Sequence, residues 1–242
     1  MYKFIFVLLL LPVIAQANSA DELVLQADKY RQSADNLKVS TVIKLYKNDS
    51  LDRERAYDVY IRPERKSLVI SKSPSEKGQK ILMLADNFWL LLPKTKRPIR
   101  ITPMQKLIGE ASTGDVATMR WNEDYYAEYI APYKTSGSGN NELRLTAKRK
   151  GVTYKKIDLS LAPESHIPIR AKLYLASGKL AKIAEFELSE RNGLLQVSKM
   201  ILRDRINKNQ YTVIEYLTTE DYSLTDKYYN PSYLARNPSV NP

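Results

Sequence analysis

The chain has 242 residues, 38 Lys and Arg against 27 Asp and Glu for a formal net charge of +11, 43% hydrophobic residues, one histidine and no cysteine. The missing cysteine excludes a disulfide framework, a cysteine zinc ribbon, an iron–sulfur site and a thiol nucleophile, and His166 alone argues against a multi-histidine metal site or a Ser-His-Asp triad. Eight Gly and 12 Pro are too few for a low-complexity chain, and Lys and Arg are spread along the sequence, which fits a solvated surface as well as an anionic membrane or an acidic partner.

Residues 1–17 run from Met1-Tyr2-Lys3 through the apolar stretch FIFVLLLLPVIA to Ala15-Gln16-Ala17. A basic start, an apolar middle and a small-x-small end are the parts of a secretory signal peptide, cleaved near Ala17. Twelve apolar residues fall short of the roughly 20 that a membrane span needs. Residues 18–242 are then expected as a single exported, periplasmic domain, with no cysteine left to carry a lipid.

A helix is expected over 20–36, where Leu23, Ala27 and Tyr30 recur at helical spacing behind Asp21 and Glu22. Strands follow. Residues 38–46 put Val39, Thr41, Ile43 and Leu45 on one face, and 55–61 set Tyr57, Val59 and Ile61 opposite Ala56, Asp58 and Tyr60. Residues 66–72, 79–85, 88–92 and 98–102 continue as short β-rich runs, with Asp86-Asn87 marking a hairpin. Residues 103–112 (PMQKLIGEAS) are expected as a short helix, with Pro103 at its start, Met104, Leu107 and Ile108 on one face, and Gly109 near its end. A Tyr-rich stretch reaches about residue 135, and SGSGNN (136–141) reads as a turn or linker. Strands resume at 142–149, 153–161, 167–176, 179–189, 194–205 and 210–219, separated by turns at Lys150-Gly151, 162–164, Ser177-Gly178 and 191–193. The tail 225–236, with Tyr228, Tyr229, Tyr233 and Leu234, is expected to pack back as a helix or turn.

About a dozen strands with two or three helices indicate a mainly β (α+β) protein built on one antiparallel meander. A sheet this wide must curl, close or split. Helices lying over one apolar face would enclose a ligand cavity, although the same pattern fits a filled core.

Residues 88–126 carry Leu90-Leu91-Leu92-Pro93, Arg97-Pro98, Arg100-Ile101-Thr102-Pro103, Gln105, Leu107, Gly109, Ala111-Ser112, Gly114-Asp115-Val116-Ala117 and Asp124-Tyr125. This run resembles the signature of the LolA-like outer-membrane lipoprotein-sorting proteins. The segments IPIRAKLYLASGKLAKIAEFEL (167–188) and YNPSYL (229–234) run parallel to the same family, so the likeness covers nearly all of 18–242. Gly114-Asp115 stands where a commoner branch has a Gly-Ser-Asp-Phe run. The resemblance implies a strongly curved antiparallel sheet forming an incomplete barrel, covered by two or three helices. It also implies a monomeric periplasmic carrier or chaperone that moves acyl chains of lipoproteins or lipids between inner and outer membrane. Its implied partners are those lipoproteins or lipids, an inner-membrane transporter and, transiently, the membrane surface. It needs no cofactor, binds no nucleic acid and is no enzyme. The alternative is a periplasmic sensor, regulatory module or transporter accessory using the same fold.

Acyl chains in water need an apolar container, since each exposed methylene costs about 0.8 kcal/mol. The candidate lining is Val59, Ile61, Met83, Trp89, Leu91, Ile99, Ile101, Met104, Leu107, Ile108, Met119 and Trp121, with Met suited to an adaptable apolar surface. Each of these equally reads as an ordinary core residue. Arg97, Arg100, Asp115 and Asp124 are candidates for holding a lid or meeting a head group, against the plainer reading of structural ion pairs or a capped turn. Glu123-Asp124 and Asp21-Glu22 are adjacent carboxylates that would not converge on a substrate, and no phosphate loop, nucleophile elbow or zinc motif is present.

Overall fold

A computed structural model of the chain describes residues 19–117, 120–130, 139–191, 193–204 and 208–242. The expected signal peptide lies outside the described residues, as do Met119, residues 136–138 of the 136–141 turn and Asn192 of the 191–193 turn. Helix α1 spans Ala20–Lys29 and starts at Ser19, whose side chain accepts from the Glu22 N–H. It is shorter than the 20–36 expected, because Ser33, Asp35 and Asn36 are poor helix formers.

Strands β1 (Leu37–Lys47), β2 (Ser50–Arg62), β3 (Lys66–Ser71), β4 (Lys80–Leu84), β5 (Asn87–Leu91) and β6 (Ile99–Ile101) make a first meander. Strands β10 (Asn141–Ala147), β11 (Lys156–Leu161), β12 (Pro168–Tyr174), β13 (Leu180–Arg191), β14 (Leu194–Asp204) and β15 (Gln210–Asp221) make a second, which begins with β9 (Tyr125–Tyr129). The Tyr-rich stretch therefore holds an edge strand that its polarity concealed. Pairing of β1 with β15, from Leu37↔Asp221 to Lys47↔Gln210, joins the two meanders into one 13-stranded antiparallel sheet with β6 and β9 at its edges. The sheet curls without closing. Curling brings the β4–β5 turn to the β10–β11 turn, where Arg149 Nε donates to Asp86 Oδ1 at 2.9 Å.

The chain between edges β6 and β9 crosses the concave face. Here the structure corrects the expected 103–112 helix. Lys106–Ile108 (β7) and Ala111–Ser112 (β8) form a two-stranded hairpin, followed by the short helix α2 (Thr113–Ala117). Gly109 turns the hairpin at φ +52°, a left-handed conformation that ends any helix there. The hairpin rests on the middle of the sheet, where Thr212 Oγ1 accepts from the Glu110 N–H at 2.9 Å. The tail forms a 3-10 turn at Asp226–Tyr229 and helix α3 (Pro231–Arg236), capped by Asn230. As expected, it packs back on the sheet.

Candidate functional site

Side chains of a strand alternate between faces, and this sorts the apolar residues of β2–β5 into two clusters. Tyr57, Val59, Ile61, Val69, Ile81, Met83 and Phe88 join the concave core, with Leu143, Leu145, Ile157, Leu159, Ala171 and Ala184 from the second meander. Tyr60, Leu68, Ile70, Leu82 and Leu91 face outward, beneath Tyr228, Tyr229 and Leu234 of the tail. The concave face is covered by Leu23, Val24 and Ala27 of α1, by Ala111, Val116 and Ala117 of the crossing segment, and by Trp121.

That cover fills the concavity. The hollow beneath it, among Trp121, Tyr125, Ile157, Leu173, Phe186 and Met200, measures about 40 Å³, room for water and not for a hydrocarbon chain.

Three buried carboxylates hold the cover down. Asp115 of α2 pairs with Lys182 Nζ on β13 at 2.8 Å, both side chains 3% exposed. It also accepts from Tyr154 Oη at 2.6 Å and from the Ser112 N–H and hydroxyl at 2.8 and 2.7 Å. Lys182 in addition donates to the Glu110 carbonyl. Burial would raise the Asp115 carboxyl, but the Lys182 ammonium and these donors hold it below the ordinary carboxylate range.

The second carboxylate, Asp28 on α1, accepts from the Trp121 N–H at 2.7 Å and the Asn122 N–H at 2.8 Å, with Arg31 Nη1 at 3.4 Å. Burial pushes its carboxyl up to about 6 against the opposing pull of Arg31 and the two N–H donors. The Arg31 guanidinium lies 3.8 Å from the Trp121 ring centroid. The third, Asp124, is bound by Arg65 and Arg149, which also reach Asp86. This network closes one end of the concavity by tying the β2–β3 turn to the β10–β11 turn.

Of the residues singled out from the sequence, Val59, Ile61, Met83 and Trp121 are buried in the concave core, and Ile101, Met104 and Leu107 pack against it. Trp89 and Leu91 lie on the opposite face, in the outer cluster, because they alternate with Phe88 and Leu90. Ile99, on edge strand β6, is 41% exposed. The Ile108 side chain and Met119 lie outside the described residues. Arg97 and Arg100 are exposed and stand apart from Asp115 and Asp124. Arg100 instead donates to Asn87 Oδ1 at 2.6 Å and lies over the Trp89 ring. His166 sits half-buried in the turn between β11 and β12. Among the described residues no group of three or more His, Asp or Glu is gathered to hold a metal.

Sequence reasoning missed Asp28, Arg31, Arg65, Arg149, Tyr154 and Lys182. Two of these had a signal. Lys182 interrupts the apolar alternation that Ala184 and Phe186 continue, and Asp28 follows Val24 at i+4 on the apolar side of α1. Arg65, Arg149 and Tyr154 were hidden because their partners Asp124 and Asp115 lie 25 to 59 residues away, and Arg31, although only three residues from Asp28, carried no sign that the pair would be buried.

A family model described only as an uncharacterized protein matches residues 63–236. No curated protein matches the chain in sequence. Among solved structures, a LolA superfamily protein from Nitrosomonas europaea is 27% identical with a TM-score of 0.82, the match covering 90% of this chain and 100% of that one. Two others share the fold. A DUF1329 family protein from Desulfovibrio piger is 18% identical at TM-score 0.69, over 89% of this chain and 97% of the other. A domain described as an outer membrane lipoprotein-sorting protein from Vibrio parahaemolyticus is 20% identical at TM-score 0.69, over 90% and 98%.

Proposed function

Since the chain belongs to the LolA-like superfamily of outer-membrane lipoprotein-sorting proteins, we propose that it is a periplasmic, non-catalytic carrier for the acyl chains of a lipoprotein or lipid. The observation that carries this reading is the asymmetry of the concave face. A wide apolar sheet surface is covered by helix α1, a hairpin, a five-residue helix and a loop, and not by a second sheet. Such a cover can be displaced without unfolding the sheet beneath it. A guest chain would take its place on Val59, Ile61, Met83, Ile157 and Met200, gaining about 0.8 kcal/mol for each methylene removed from water. The buried carboxylates then act as latches. They stabilise the empty, closed form and so favour release of cargo.

The native protein is purified and extracted, and the extract is analysed by lipid mass spectrometry. In parallel, the protein is titrated with a fluorescent fatty acid. Co-purified acyl chains or saturable binding support the carrier. An empty protein that binds none points instead to a transporter-accessory or sensory module, a reading favoured by the filled concavity. Cross-linking separates the two, with a carrier trapping lipoproteins and an accessory module trapping a membrane partner.

A further inference from the structure

The geometry points to an entrance for hydrocarbon between the turn that follows α1 and the start of β14, with Tyr30 and Arg31 as its plug; this rests on the carrier reading above. Two hollows of about 490 and 730 Å³ adjoin there and share Ser33, Leu194 and Gln196 as lining. Each is an order of magnitude larger than the hollow under the cover. Leu194, Leu195 and Leu217 line them at 57%, 43% and 51% exposure. Three leucines gathered on one open groove form an apolar track at the surface.

The wall behind this groove is one turn of chain thick. Tyr30 lines the groove on its outer side, while its neighbour Arg31 lines the inner hollow with Trp121, Phe186 and Met200. Val197, the residue after Gln196, is already part of the concave core. Tyr30 is tied to the rim by two hydrogen bonds. Its carbonyl accepts from the Val197 N–H at 2.7 Å, and its hydroxyl donates to the Ser165 carbonyl at 2.8 Å.

The turn's other attachments lead away from β14. Asp28 binds the Trp121 and Asn122 N–H groups, and Arg120 binds Asp35 at 2.5 Å. Helix α1, its turn and the 120–122 loop therefore form a unit that can part from β14 along the leucine groove. The occupant that fits is an acyl chain, because Leu194, Leu195 and Leu217 lay an apolar strip along a groove otherwise lined by Ser33, Gln196, Thr218 and Thr219, and that strip leads past Tyr30 and Arg31 to an apolar interior. Lys29 and Arg191 on its walls are balanced by Glu220 and Asp221, so charge does not select the occupant.

The chain has no cysteine of its own, so a Ser33→Cys/Gln196→Cys variant can be bridged across the groove with a short cleavable thiol crosslinker. Uptake of pyrene-labelled hexadecanoate is followed by fluorescence, with folding checked by thermal melting. The bridged protein should load at least about tenfold more slowly than wild type and recover when the bridge is cleaved. Leu195→Asp, at an exposed position, should slow loading with an unchanged melting temperature. Wild-type uptake with equally fast loading of the bridged protein and of Leu195→Asp overturns the entrance and leaves the carrier reading standing. A wild type that takes up no probe overturns both.

Discussion

Lys182 and Asp115 form a buried ion pair that fastens the cover to β13. A buried pair costs most when one partner is left alone, because the remaining charge has neither water nor counter-ion. Lys182→Met should therefore destabilise the protein by about 3–5 kcal/mol, read from urea unfolding. The double variant Lys182→Met/Asp115→Asn should lose less than the Lys182 variant, since no unpaired charge remains. Equal losses would mean that the pair does not act as a unit. Asp28 makes a pH prediction. Its folded-state carboxyl is raised from 3.8 to about 6, so between these values the native state holds a proton that the unfolded chain has released. Stability attributable to Asp28 is then highest at and below about pH 4. It declines as pH rises through the window and levels off above pH 6, a fall of about 3 kcal/mol. Carboxyl carbon NMR should show Asp28 titrating near pH 6, and a midpoint near 4 would contradict its burial.

At the scale of elements, the 103–112 segment is the instructive one. Its apolar spacing suits a helix, yet it forms a hairpin because Gly109 adopts positive φ and lies against the sheet. A Cβ added there would stand 2.3 Å from Thr212 Oγ1 and 2.8 Å from Leu45 Cδ1. Gly109→Ala should thus cost at least about 2 kcal/mol, combining left-handed strain with a clash. A melting curve unchanged from wild type would show that the hairpin can rearrange freely. Strand β9 shows the complementary effect. Its Tyr-Tyr-Ala-Glu-Tyr pattern is too polar to announce a strand, but β10 supplies its hydrogen bonds and the Asp21 side chain accepts from the Ala127 N–H at 2.9 Å.

For the whole molecule, the sheet has two apolar surfaces over β2–β5, and the tail covers the outer one. Lys80, buried under it, donates to the Pro238 carbonyl at 2.5 Å, and burial lowers its ammonium below the ordinary lysine value. Truncation after residue 224 would uncover Tyr60, Leu68, Ile70, Leu82 and Leu91 together. The truncated chain should bind the hydrophobic dye ANS and aggregate, while the concave core keeps its far-ultraviolet β signal. A soluble truncated chain that ignores the dye would show that the tail is not the cover.

The strand meander, its turns, the apolar alternation along the strands and the packed tail were legible in the sequence, because each depends on neighbours two to twelve residues away. The resemblance in residues 88–126 likewise pointed to the family and its curved sheet. Only the tertiary structure decided which face is concave, since Trp89 and Leu91 differ from Phe88 and Leu90 solely in the parity of their positions. It also decided that the hollow is filled and that carboxylates, with Lys182, Arg31, Arg65 and Arg149, fasten its cover. The Lys182–Asp115 pair spans 67 residues and the Arg65–Asp124 pair 59. They meet because β1 pairs with β15 and curls the sheet, a long-range event that local periodicity cannot encode.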